Sequence, residues 1–119
     1  MSKEAKKVIK ERFVGKVIGD KNKVFVKKDS AEEYAYPSKF IKDTKILEAK
    51  MRAAPELENL VESGKSFRNE PDGRDGHIHP EATGGFDYYD TVFKVGKNFY
   101  YGLVNIMVTD RGRVLKDIT

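Results

Sequence analysis

The last third of the chain constrains the fold most, because Phe86 to Thr119 reads as three β-strands joined by two turns. Phe86 to Val95 and Asn98 to Thr109 are rich in Tyr, Phe, Val, Ile and Thr, whose branched and aromatic side chains fit a pleated surface. Between them, Gly96-Lys97 suits a two-residue hairpin whose first position needs positive φ. Asp110-Arg111-Gly112 predicts a three-residue loop with Gly112 in the left-handed position. Arg113 to Ile118 then returns as the third strand of an antiparallel meander.

These turns set a register. The first pairs Phe93 with Tyr100, Tyr89 with Val104 and Tyr88 with Asn105; the second, with Thr109 opposite Arg113, places Asn105 against Asp117. Because side chains alternate between faces, one face gathers Tyr89, Phe93, Tyr100, Val104, Ile106, Val108, Val114 and Ile118 as the candidate core. The other carries a row of Tyr88, Asn105 and Asp117, with Asp90, Tyr101 and Arg113 nearby and Phe86, Leu103, Met107 and Leu115 at one end. A slip of one residue in either hairpin would scatter that row.

The remaining segments have to pack against this sheet, and 119 residues bury one core without metals or disulfides. Residues 3–12 alternate as a short amphipathic helix, with Ala5, Val8 and Ile9 on one side. Phe13 to Ile18 and Val24 to Lys28 read as a small hairpin around Asp20-Lys21-Asn22-Lys23. Ser30-Ala31-Glu32-Glu33 has capping-box spacing, and Pro37 ends the helix it opens. Asp43 caps a second helix, Pro55 interrupts it or opens a third over Glu56 to Glu62, and Gly64 stops it. Leu47, Met51, Leu57, Leu60 and Val61 supply its core face, and Lys65 to Asn69 reads as a further strand. The expected fold is α+β, with N-terminal helices packed on a C-terminal antiparallel β-meander of about four strands. Residues 1–28 form a basic N-terminal arm with a short hairpin, and residues 29–119 the α+β domain.

Composition excludes several classes of function. With no cysteine, structural disulfides, thiol catalysis and Cys-ligated zinc are ruled out. No apolar run approaches the roughly 18 residues of a membrane span, and the Lys-rich start lacks the apolar centre of a signal peptide, so the expectation is a cytoplasmic protein without a membrane partner. Residues 3–28 hold ten Lys and Arg against three acids, a local charge of +7 that leaves −3 on the rest. That asymmetry favours a polyanionic partner for Lys6, Lys7 and Lys10, nucleic acid ahead of an anionic membrane, against the plainer reading of a Lys-rich face that aids solubility.

Phosphate-binding loops, nucleophile elbows and His-Glu-x-x-His signatures are absent. The chemistry-bearing stretch is the polar loop Pro71 to Gly85, which holds Arg74 and both histidines, His77 and His79. Loops this long in a small domain are functional or disordered. A closed zinc site on His77, His79 and Glu81 would need scattered carboxylates, so no metal or cofactor is expected. RNA cleavage without metal needs a base for the 2′-hydroxyl, an acid for the leaving oxygen, and a cation at the phosphate. His77 or His79 can serve as base or acid, Arg74, Arg113 or Lys116 can stabilise charge, and Tyr88, Tyr101 and Asn105 can position or stack a nucleotide.

Ser30 to Ala35, Glu48-Ala49-Lys50-Met51 with Ala54-Pro55-Glu56-Leu57, Gly85 to Thr91, Gly102-Leu103-Val104-Asn105-Ile106 and Leu115 to Thr119 resemble the nuclease-like domains of phage and prophage proteins. These are grouped with the barnase, EndoU, colicin and RelE folds and occur in polyvalent phage proteins and toxin modules. The resemblance spans residues 24–119. It implies helices on a four-stranded antiparallel sheet, metal-independent cleavage of RNA, and a site at Tyr88, Asn105 and Asp117 in the matching strand segments. It also implies an immunity or antitoxin protein, or phage structural proteins, as partners. The roles of His77 and His79 rest on the chemical argument and not on the family. The alternative to a nuclease is a non-catalytic nucleic-acid or protein interaction module of the same fold.

Overall fold

The computed structural model describes residues 2–36, 43–73 and 78–119. Among these residues lie four helices, α1 (Ser2–Arg12), α2 (Lys28–Ala35), α3 (Thr44–Arg52) and α4 (Leu57–Glu62). Six strands accompany them: β1 (Val17–Ile18), β2 (Val24–Phe25), β3 (Lys65–Glu70), β4 (Phe86–Val95), β5 (Asn98–Thr109) and β6 (Gly112–Ile118). They form one sheet in the order β1-β2-β6-β5-β4-β3, antiparallel throughout except that β2 runs parallel to β6. The α+β class is as expected, but the sheet is larger than the four-stranded meander β3 to β6, because the N-terminal hairpin joins it beside β6. No helix among the described residues is long and apolar enough to cross a membrane.

The β4–β5 hairpin has the expected register, from Val95 opposite Asn98 to Tyr88 opposite Asn105, and Gly96 sits at φ 64° in the turn. The second turn closes more tightly than a three-residue loop, pairing Thr109 with Gly112 and Val108 with Arg113. Ile106 then faces Leu115, yet Asn105 faces Asp117, so Lys116 is the extra residue of a β-bulge. Two expectations are corrected as a result. Leu115, not Val114, enters the main core, while Val114 joins Phe86, Met107 and Ala82 in a second small cluster. Arg113 turns to the helix-covered face, where its guanidinium donates to the Tyr89 hydroxyl at 2.8 Å.

The main core gathers Ile9 of α1, Tyr34 of α2, Met51 of α3, Leu57 and Val61 of α4, and Val104, Ile106, Leu115 and Ile118 of the sheet. Residues 1–28, expected as an arm, are built into it: Ala5, Ile9, Ile18, Val24 and Val26 are all buried there. Helix α2 begins at Lys28, two residues before the expected cap. Ser30 instead sits inside the first turn, accepting from the Lys27 N–H at 3.0 Å and donating to the Leu115 carbonyl at 2.6 Å. The second bond follows from the topology: β2 pairs with β6 at Val114, and α2 takes over the edge of β6 beyond it. Asp43 caps α3 through the Lys45 N–H as expected, and Pro55 opens a turn of 3-10 helix that runs into α4. Pro37 lies outside the described residues.

A charged pair is sealed beneath these helices. The Lys50 ammonium, with 3% of the residue exposed, lies 3.0 Å from the Asp117 carboxylate and 4.7 Å from the centre of the Tyr34 ring. The Tyr34 hydroxyl in turn donates to the Lys50 carbonyl at 2.6 Å. Burial holds the Asp117 carboxyl above the usual carboxylate range, against the opposing pull of Lys50, and burial likewise raises the Tyr34 hydroxyl. Lys50→Ala leaves the carboxylate buried without its cation and should cost about 3–5 kcal/mol in urea unfolding at pH 7. Because the folded carboxyl binds its proton more tightly than the unfolded one, that cost should shrink as pH falls through the raised pKa. A cost that is constant with pH would show that Lys50 acts through packing.

Candidate functional site

The loop from Pro71 to Gly85 is strapped to the sheet at its end. Gly84 donates to the Val108 carbonyl at 3.0 Å, Val108 donates back to Gly85 at 2.9 Å, and the Thr83 hydroxyl donates to Asp110 at 2.7 Å. Gly85 takes φ 76°, and a side chain there would strike the Glu70 backbone. The start of the loop is anchored by one carboxylate. Asp72 accepts the His79 backbone N–H at 2.6 Å and holds the imidazole Nδ1 at 2.9 Å. An ionised carboxylate only accepts, so Nδ1 carries the proton and Nε2 is left as the basic nitrogen. The His79 hydrogen bonds hold the Asp72 carboxyl below its ordinary range, that of the backbone N–H contributing most.

From His79 the site continues onto the sheet face opposite the helices. The imidazole meets the Phe86 ring edge-on, with centroids 5.1 Å apart, and Tyr88 follows with its ring 6.5 Å from that of Phe86. The Arg68 guanidinium lies 5.2 Å from the centre of the Tyr88 ring, which β3 brings about by pairing Arg68 with Tyr88. Farther along the same face, Tyr101 is 84% exposed. The molecule thus presents an oriented histidine, an arginine and tyrosines along the sheet face opposite the helices, where Ala82 packs over Phe86, Met107 and Val114 and the Tyr101 end is uncovered.

The expected row is present in the ladder but not as one cluster of working groups. Tyr88, Asn105 and Asp117 pair across three strands. The Asn105 amide, however, donates to the Leu103 carbonyl at 2.8 Å and to the Thr119 hydroxyl at 3.2 Å, and Asp117 is committed to Lys50. Arg113 lies on the helix-covered side, its Nε 3.3 Å from Asp87, and Lys116 pairs with Glu33 of α2 at 2.9 Å. The Arg113 Nε contact is an ion pair without hydrogen-bond alignment. Lys6, Lys7 and Lys10 belong to α1 in the helical layer, where Lys6 pairs with Glu32 at 3.6 Å and Lys7 with Glu11 at 4.0 Å. Arg74 and His77 lie outside the described residues.

Asp72 and Arg68 were missed by sequence reasoning. Asp72 shares the histidine loop, but no motif joins an Asp to a His seven residues on. Arg68 needs the β3–β4 register, which no turn signal specifies. Comparison with family models, with curated proteins and with solved structures finds no match for this chain.

Nitrogen NMR should find neutral His79 protonated on Nδ1, and Asp72→Asn should move population to the other tautomer. Since the folded Asp72 pKa is lowered, its anchoring is complete above the ordinary Asp range and is lost as pH falls through the lowered value. A tautomer indifferent to Asp72→Asn would leave the carboxylate a loop anchor alone.

Proposed function

We propose that this chain is a metal-independent endoribonuclease of phage, prophage or toxin origin, working on the uncovered sheet face. The observation that supports this reading is the Asp72–His79 pair beside Phe86, Tyr88 and Arg68. In the proposed step, His79 Nε2 removes the proton of a 2′-hydroxyl, the oxygen attacks the adjacent phosphorus, and the 5′-oxygen leaves with a proton from a second group. The products are a 2′,3′-cyclic phosphate and a 5′-hydroxyl end. Asp72 stabilises the imidazolium that forms, and Arg68 offsets charge on the crowded phosphate. The second proton donor is His77 or Tyr88. The resemblance to phage and toxin nuclease domains supports the same reading and adds an immunity protein or phage structural protein as partner, in a bacterial cytoplasm.

A second reading, a non-catalytic module that binds nucleic acid or protein, is favoured by a different observation. Asn105, Lys116 and Asp117 are tied into structural contacts. That leaves His79 with few titratable partners on the face.

Cleavage of RNA and of its 2′-deoxy analogue in EDTA distinguishes the two. His79→Ala should lower the rate by about 10²- to 10⁴-fold, and the 2′-deoxy strand should resist. Cutting of the 2′-deoxy strand, or abolition of activity in EDTA, overturns the mechanism. A wild type that binds RNA without cutting it supports the module.

The lysines of α1 add a charge-driven attraction to nucleic acid. Replacing Lys3, Lys7 and Lys10 by Gln should weaken binding equally for all sequences and flatten the logarithmic salt dependence by about one for every phosphate left unneutralised. An unchanged slope would make these lysines a solubility feature.

A further inference from the structure

The far end of the uncovered face holds a hollow of about 450 Å³, bounded by Ser63, Lys65, Asp90, Val92, Tyr101 and Gly102. It forms where the β3–β4 pairing stops. That pairing ends with Lys65 opposite Asp90, so the β4 segment beyond Asp90 pairs with no strand on that side among the described residues, although the Ser63 and Thr91 hydroxyls meet at 3.0 Å. The Cβ position of Gly102 points into the core, toward Ile118, Thr91 and Phe93, while Val92 pairs with Tyr101 on the side of the hollow. The hollow is open because β3 ends beside it, and one wall is an aromatic ring standing in solvent. Among the described residues, the side chains of Lys65, Asp90 and Tyr101 are committed to no hydrogen bond or ion pair.

The surroundings are aromatic and basic. Nearby on β5, Phe99 is 67% exposed, and the Lys94 ammonium lies 5.6 Å from its ring centre. Exposed apolar rings beside lysines suit a ligand that is flat and apolar in one part and anionic in another. An unpaired nucleotide has both parts: its base stacks on an aromatic ring and its phosphate meets an ammonium. A base paired in a duplex has its faces covered and cannot enter. Val92 lies six residues along β4 from Phe86, about 20 Å at the rise of an extended strand, so the hollow is separate from the His79 end.

We propose that this hollow is a second, non-catalytic subsite that takes one unpaired base of single-stranded nucleic acid. Tyr101 stacks on the base, Asp90 accepts an N–H from its edge, and Lys65 and Lys94 meet the flanking phosphates. A strand spanning both ends is held extended along the uncovered face. The inference rests on the nucleic-acid reading above but not on cleavage.

The test is fluorescence anisotropy with uncleavable 2′-O-methyl RNA, as a dinucleotide, an octamer and a duplex of the octamer sequence. The octamer should bind more tightly than the duplex. Tyr101→Ala should weaken the octamer by about 5- to 100-fold, the worth of one stacked base, with the dinucleotide unaffected and Tyr101→Phe retaining affinity. Octamer binding unchanged in Tyr101→Ala, duplex binding as tight as single strand, or no binding of single strand by the wild type each overturns the proposal. So does Tyr101-dependent binding to anionic lipid vesicles in place of RNA. If the octamer depends on Tyr101 while ordinary RNA stays uncut, the subsite stands and the nuclease reading falls.

Discussion

One extra residue in β6 decides what each face of the sheet displays. The chain turns tightly at Asp110-Arg111, which sets Val108 opposite Arg113 and Ile106 opposite Leu115. Without the bulge at Lys116, the strand would continue in that register and deliver Ile118 to the wrong side. With it, Leu115 and Ile118 both reach the helix-covered core, and Val104 and Ile106 find apolar partners across the ladder. The register is specified by burial, since a slip would expose Ile118 and bury charge. The helices depend on the same residue, because the bulge puts Lys116 and Asp117 beside Glu33 of α2 and Lys50 of α3.

The helical layer is joined to the sheet by polar groups as well as by the core. Ser30 takes the Leu115 carbonyl where no strand pairs with it. On the other side, Glu62 of α4 accepts the N–H groups of Asp20 and Lys21 at 2.7 and 3.0 Å, and Glu58 that of Gly19 at 3.0 Å. The bonds to Glu62, that of Lys21 foremost, hold its carboxyl low against the opposing effect of burial. The backbone of the first turn is thus satisfied by carboxylates about forty residues away, which fixes the hairpin on the core without a long strand pairing of its own.

Strands whose turns carry glycine were legible, and so was the Tyr88–Asn105–Asp117 pairing, because alternation and two turn signals suffice for a meander. The tightness of the second turn was not, nor was the bulge that compensates it. The two errors cancel at Asn105 and persist at Arg113, Val114 and Leu115. Asp117 looked like a site residue on a polar face, since nothing local shows that Lys50, 67 residues earlier, comes to meet it. The basic start looked like an arm because its charges are regular, while the two residues of α1 that are buried, Ala5 and Ile9, are an inconspicuous pair. His79 was visible as chemistry, and its partner was not, because a carboxylate seven residues away in a loop has no fixed spacing to betray it.

The position of β6 has a consequence for how the chain comes to be folded in a cell. The strand made last of the six lies inside the sheet, between the hairpin made early and the meander made late. A ribosome that has finished β5 has released helices whose apolar faces still lack Leu115 and Ile118, and a Lys50 that still lacks its acid. The core cannot close until residue 118 has cleared the exit tunnel, and until then the apolar faces of the helices lack the strand that covers them.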